Sequence, residues 1–264
     1  MSAKWLIAVF LITAVLFSTA INIVTGQRQK SAGFVKIPEA DILPAKSLQN
    51  VTASDSGWVF GYDQVGYLKK MAVEDIPTIE SFQNGTRLNK KALQSALTAD
   101  SGYAIGYDGY GNLVKLPLSV IPDDVWRAFN EVNVGVGSGY AFSLNNASSI
   151  YAYGYTFRKI AVTEIPISNS LDFVSGADEG YVIGFEKEWL GNYIRKVPIE
   201  NVPEVTIKQL STVVAVDSGY VIGLDSRGRL IRVSLSELEL GYASSLANRI
   251  IDADSGFVVC RVVA

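Results

Sequence analysis

The chain contains no histidine, which removes His-based triads, imidazole metal sites and the commonest general base from consideration. Its single cysteine, Cys260, rules out an intramolecular disulfide and a thiolate zinc cluster. Flanked by Val258, Val259 and Val262, that cysteine reads as a small core residue of the last strand, so the fold has to stand on packing and ladder hydrogen bonds. Clustered positive charge is missing too. Of the 23 basic residues only Lys4, Arg28 and Lys30 precede Gly33, whereas all 26 acidic residues follow it. Phosphate binding needs basic patches, and here lysines and arginines are scattered, so no nucleic acid partner is expected. Lys69-Lys70 and Arg227-Arg229-Arg232 read as solvated strand faces.

What the chain has in quantity is repetition. Gly-Tyr, Gly-Trp or Gly-Phe pairs recur at Gly57-Trp58, Gly102-Tyr103, Gly139-Tyr140, Gly180-Tyr181, Gly219-Tyr220 and Gly256-Phe257. Their spacing of about 40 residues suits propellers and other repeat arrays. A large apolar residue stands ahead of each pair (Leu48, Leu93, Phe129, Leu171, Leu210, Leu246), followed by a β-rich stretch such as 213–216. After the aromatic, 220–224 reads as a second strand, and Ser226-Arg227-Gly228 supplies turn chemistry for a third. In that third strand Leu230, Arg232 and Leu235 correspond to Leu113, Lys115 and Leu118. Pro77, Pro122, Pro166 and Pro203 mark unit boundaries, because proline cannot donate to a central ladder.

The phasing at the two ends carries the fold expectation. The segment 34–42 matches 113–121, the second half of a unit, while the residues leading up to Ala264 read as a first half. A linear array would expose an incomplete sheet at each end; a ring would join the two halves. The expected fold is therefore all-β, a six-bladed β-propeller with a split closing blade and about four short strands to each blade. An open β-array along a filament is the alternative.

The stretch 137–154, running from Gly137 through Tyr140 to Tyr151-Ala152-Tyr153-Gly154, resembles the repeat of the regulator of chromosome condensation family. That repeat begins with glycine, has a histidine three residues on and ends in a tyrosine-alanine-tryptophan-glycine strand. Tyr140 stands at its histidine position and Tyr153 at its tryptophan position. The resemblance extends over 33–264, with Asp55, Asp100, Asp178, Asp217 or Asp254 in place of the first glycine elsewhere. Members are propellers that serve in nucleotide exchange, chromatin docking or, in a bacterial branch, β-lactamase inhibition; what the resemblance implies for this chain is the propeller shape. The segment 101–118 is similar to short β-repeats of phage structural proteins.

A long apolar run occurs once, at the N-terminus. Residues 5–24 are uncharged and long enough to cross a bilayer core of about 30 Å. The expected organisation is an N-terminal transmembrane helix with a short linker over 1–32 and a propeller domain over 33–264, held outside the cytoplasm. Cleavage of the same stretch as a signal peptide near Ser18-Thr19-Ala20 is the alternative.

No catalytic, cofactor or metal residue is assigned. Asp63, Asp108 and Asp225, each ahead of a glycine, read as turn formers; Asp55, Asp100, Asp217 and Asp254 read likewise. The six repeated aromatics read as core, with the tyrosine hydroxyls reaching polar partners. Departures from the repeat are the candidates for recognition: a helix begun by Asn89 and running to Leu97, a short helical turn over 123–129, and the loop 186–193. From these come the protein-binding candidates Trp126, Arg127, Trp189 and Tyr193, residue types common at binding hot spots. The expected function is a non-enzymatic, membrane-tethered module that docks a protein partner or serves as a subunit of a surface assembly. The alternatives are a virion structural protein and an enzyme with its site on the propeller loops.

Overall fold

The computed structural model describes residues 33–79, 93–124, 135–149, 152–189, 191–243 and 248–262. Local chemistry at the six Gly-aromatic pairs sets the architecture. In each, a residue with φ of 52–55° (Ser56, Ser101, Ser138, Glu179, Ser218, Ser255) precedes a glycine with φ of 76–84°. Two successive positive φ values define a type I′ turn, whose twist matches an antiparallel hairpin. Each signature aromatic is thereby the first residue of the second strand of a sheet.

Five sheets follow the same three-strand order. They comprise β2 (Asn50–Asp55), β3 (Trp58–Tyr62) and β4 (Leu68–Ala72); β5 (Leu93–Asp100), β6 (Tyr103–Asp108) and β7 (Leu113–Pro117); and β8 (Gly135–Gly137), β9 (Tyr140–Ser149) and β10 (Ala152–Ala161). Next come β11 (Phe173–Asp178), β12 (Tyr181–Glu188) and β13 (Gly191–Pro198), then β14 (Thr212–Asp217), β15 (Tyr220–Leu224) and β16 (Leu230–Ser234). The sixth sheet is assembled from both ends. There β1 (Phe34–Pro38) lies between β17 (Glu239–Leu240) and β19 (Phe257–Val262), with β18 (Asn248–Asp254) beyond. Antiparallel pairing of β1 with β19 sets Val35 opposite Cys260 and Ile37 opposite Val258.

The first strands of the sheets contact one another in a cyclic order, β18 with β2, then β5, β8, β11, β14 and β18 again. The arrangement is propeller-like, and its core lies between adjacent sheets. One cluster joins Ile37, Val258 and Cys260 of the sixth sheet to Ala53, Phe60 and Leu68 of the first. Phe60 is 1% exposed, and a side chain buried to this degree contributes about 1.5–3 kcal/mol.

Two local features were not foreseen. The fourth, outer strand is mostly reduced to one parallel bridge, as at Pro44↔Lys70 and Ile167↔Lys196, because the tail of each sheet only touches the next. Pro77, Pro122, Pro166 and Pro203 sit at these crossings, where each proline carbonyl accepts the N–H of a third-strand lysine or arginine. The first strands also bulge at a shared place, between Val51 and Ala53, Val174 and Gly176, Val213 and Ala215, and Ile250 and Asp252. Beside three of these bulges a Cβ on Gly61, Gly184 or Gly223 would collide with the carbonyl of Asn50, Phe173 or Thr212. Cys260 holds the matching place in β19.

Of the expected helix running to Leu97, residues 93–97 belong instead to β5: the chain there is the first strand of a blade, and ladder pairing with β6 overrides its local helix preference. Among the described residues no helix is long and apolar enough to cross a membrane. The expected span 5–24 lies outside them.

Candidate functional site

The repeated polar residues, read in sequence as turn or surface groups, bridge the sheets. Asp100 Oδ2 accepts the N–H of Gly57 at 2.7 Å, Asp178 that of Gly139 at 2.6 Å, and Asp217 that of Gly180 at 2.8 Å. Asp254 accepts from Gly219 at 3.0 Å and Asp55 from Gly256 at 3.2 Å. In every case the aspartate ending a first strand ties down the type I′ turn of the preceding sheet. The boundary between the second and third sheets is the exception, for Gly137 stands where the aspartate would be.

A second set of bridges runs through the third strands. A cation lies over each signature ring: Lys36 over Phe257, Lys70 over Trp58, Lys115 over Tyr103, Lys159 over Tyr140, Lys196 over Tyr181 and Arg232 over Tyr220, at 4.4–5.1 Å from the ring centre. The same cations donate to carbonyls in the 3₁₀ turn of the preceding sheet. Lys115 Nζ reaches Val73 O at 2.6 Å, Lys196 Nζ reaches Val162 O at 2.6 Å, and Arg232 Nη1 reaches Ile199 O at 2.8 Å. Lys159 is again the odd member, pairing with the carboxylate of Asp123. The six aromatics are half-buried: each packs against one of the core clusters, in keeping with the expected core role, and also supports its cation. Among the described residues the hydroxyls of Tyr103, Tyr140, Tyr181 and Tyr220 make no hydrogen bond, which corrects the expectation of polar partners. Lys70 and Arg232 are likewise bridging groups and not solvated ones.

The first strands surround an axial cavity of about 400 Å³. Its lining includes bulge residues (Thr52, Ser175, Val214, Ile251) and Asp55, Asp100, Asp178, Asp217, Asp252 and Asp254. Burial pushes the Asp217 carboxyl up to about 6, against the bond from Gly180 and aided by the charges of Asp254 and Asp178. Asp252 stands where the first and fifth sheets have Ala53 and Ala215; burial pushes it up to about 7, although Val216 N and Ala253 N both donate to it. Asp178 is raised for the same leading reason. Among the described residues no group of acidic side chains and cysteine is arranged to hold a metal ion. Asp63, Asp108 and Asp225 do form turns: each Oδ1 accepts two backbone N–H groups from the following residues, and each carboxyl is held below its ordinary value.

Of the sequence-nominated recognition residues, Trp189 and Tyr193 are described, while Trp126 and Arg127 lie outside the described residues. Trp189 is 91% exposed at the tip of the β12–β13 hairpin, three residues longer in β12 than β15 of the next sheet. Ionic contacts brace that hairpin. Arg195 Nη2 meets Glu188 Oε1 at 2.6 Å and Arg195 Nε meets Glu186 Oε2 at 3.4 Å. Tyr193 lies under the Arg195 guanidinium at 5.6 Å, and Asp172 accepts the N–H of Lys187 at 2.7 Å. Phe173, at the same end of this sheet, is 55% exposed. Sequence reading passed over it because it sits inside a regular β pattern; an aromatic at the outer end of a first strand was the available signal. Comparison with family models, curated proteins and solved structures finds no match.

Proposed function

We propose that this chain is a six-bladed β-propeller with a split closing blade, tethered to a membrane by its N-terminal segment and acting as a non-enzymatic protein-docking module. The observation that carries the docking reading is Trp189, 91% exposed on a hairpin fixed by Arg195, Glu186 and Glu188. A large aromatic held by a pre-organised ribbon loses little conformational freedom on binding, which is the property of an interface anchor. Tyr193 lies on the same hairpin beneath Arg195, and Phe173 stands exposed at the outer end of β11 on the opposite face of the sheet. The propeller reading is supported by the cyclic order of first strands and by the β1–β19 pairing, and the tether by the uncharged stretch 5–24.

Affinity capture of the full chain in mild detergent tests the docking surface. Trp189→Ala is expected to weaken partner retention by about 2 kcal/mol, roughly 30-fold, with Phe173→Ala giving a smaller loss. A partner retained equally by both variants and by Trp126→Ala refutes the placement of the surface.

A further inference from the structure

Among the described residues, the third sheet ends in a ribbon with no strand paired to either outer edge. β9 and β10 pair along their whole length, from Tyr140↔Ala161 to Ser149↔Ala152, yet β8 covers β9 only as far as Phe142. On the other side the described part of the connecting segment, up to Asp124, meets β10 at one bridge, Asp123↔Lys159. There Lys159 turns both backbone groups outward: its N–H donates to Pro122 O at 3.0 Å, and its carbonyl accepts from Asp124 N at 2.8 Å. Direction alternates along a strand, so the N–H and C=O groups of Phe157, Tyr155 and Tyr153 face that same edge. No strand among the described residues takes them.

The sequence does nothing to protect this edge. Natural sheet edges are blunted by charged side chains or proline, but between Glu131 and Arg158 there is neither. The neighbouring long ribbon, β12–β13, carries Glu186, Lys187, Glu188 and Arg195. Absence of charge also selects the occupant. Residues 33–264 hold all 26 acidic side chains and 20 of the 23 basic ones, a net charge of −6, so two copies carry the same net charge and approach most easily along a strip whose sequence carries none. An antiparallel edge is self-complementary about a two-fold axis, each hydrogen bond occurring twice.

We propose that the β10 edge at Tyr153, Tyr155 and Phe157 pairs antiparallel with the same edge of a second copy, joining two β9–β10 ribbons into one intermolecular sheet. The contact is separate from the aromatic surface around Trp189.

Sedimentation of the full chain in mild detergent over a range of micromolar concentrations tests it. Tyr155→Pro removes one outward N–H and leaves the β9 ladder intact, since proline is tolerated on an edge; Tyr155→Lys places like charges across the two-fold axis. The wild type is expected to sediment as a dimer, and both variants to weaken dimerisation by roughly tenfold or more with unchanged circular dichroism. Thr156→Pro, whose N–H faces β9, is expected to disturb the ribbon itself and serves as the contrast. A wild type that stays monomeric, or a dimer that survives both Tyr155 variants, overturns the proposal. A wild type that sediments only with a different polypeptide, lost on Tyr155→Pro, assigns the edge to a foreign strand and overturns it as well.

Discussion

The carboxylate of Asp217 accepts the amide N–H of Gly180 at 2.8 Å, so the residue that finishes one first strand secures the turn of the sheet before it. Repeated at five boundaries, this bond makes neighbouring sheets interdependent: a turn cannot open without releasing the strand next door. Asp100 and Gly57 give the cleanest test, at 2.7 Å. Asp100→Ala leaves a half-buried N–H without its acceptor and is expected to cost about 1–3 kcal/mol in denaturant unfolding. Asp100→Asn keeps an oxygen acceptor and is expected to recover part of that loss.

The cations over the signature rings predict a different substitution pattern. Lys196 is buried, and burial pulls its ammonium below the usual lysine range. Its stability role is to satisfy Val162 O while resting on Tyr181. Arg232 performs the same task in the fifth sheet, so Lys196→Arg is expected to stay within about 1 kcal/mol of wild type, whereas Lys196→Met costs about 2 kcal/mol by removing the charged donor and leaving Val162 O only its bond from Ile165 N. Thermal and denaturant midpoints of the two variants separate bridging from simple volume.

How much of this was legible depends on whether the information is local. Type I′ hairpins are written in Ser-Gly and Glu-Gly ahead of an aromatic, and the pairing of β1 with β19 followed from matching 34–42 to 113–121. The bridges were not legible in the same way. Asp217 reaches Gly180 and Lys115 reaches Val73 across a sheet boundary, and no periodicity within one unit reports a contact made with the next. Recurrence of aspartate at five equivalent positions and of a cation at six was the available signal; a turn alone would have accepted serine or asparagine as readily. Trp189 stands out in the sequence because it breaks the repeat, and the exposed Phe173 does not because it follows it.

The axial carboxyls give a pH dependence whose sign runs against the usual acid denaturation. Asp217 and Asp252 are raised to about 6 and about 7 by burial, above an unfolded value of about 3.9. The native state therefore binds more protons than the unfolded chain between about pH 4 and 7, and stability falls as pH rises through that window. Below it, the lowered carboxyls of Asp63, Asp108 and Asp225 act in the opposite sense and stability is lost on further acidification. The thermal midpoint is expected to be higher at pH 5 than at pH 7.5, with Asp252→Asn flattening the difference. A midpoint that rises steadily from pH 5 to 7.5 contradicts the assignment.

Cys260 lies in the closing sheet opposite Val35 and Ile250, with burial pushing its thiol up to about 12. A thiol without thiolate character is a poor nucleophile. Iodoacetamide at pH 8 is expected to leave it unmodified in the native protein and to alkylate it once denaturant opens the β1–β19 pairing. Labelling followed by mass spectrometry thus reads the closure of the ring directly, and rapid modification under native conditions contradicts it.

The boundary without an aspartate bridge invites a repair that the backbone forbids. Gly137 occupies the position of Asp100 and Asp178, so Gly137→Asp would match the other repeats and supply an acceptor for the turn at Gly102. A Cβ at Gly137, however, runs into the carbonyl oxygen of Ala99 in β5 and crowds the Ala99 side chain. The first strands of the second and third sheets approach too closely there for any side chain. Overpacking of this kind costs about 1–3 kcal/mol, and with the Cβ driven against the Ala99 carbonyl oxygen the strands must part before the carboxylate can reach the turn, so the bond's own return of similar size is not realised. Gly137→Asp is expected to lower stability in spite of restoring the repeat, and Gly137→Ala to lower it by a comparable amount, because the collision begins at the Cβ that both share. A gain in stability for Gly137→Asp alone means that β5 and β8 can separate to admit the bridge, and the close approach of those strands is then not a fixed feature of the ring.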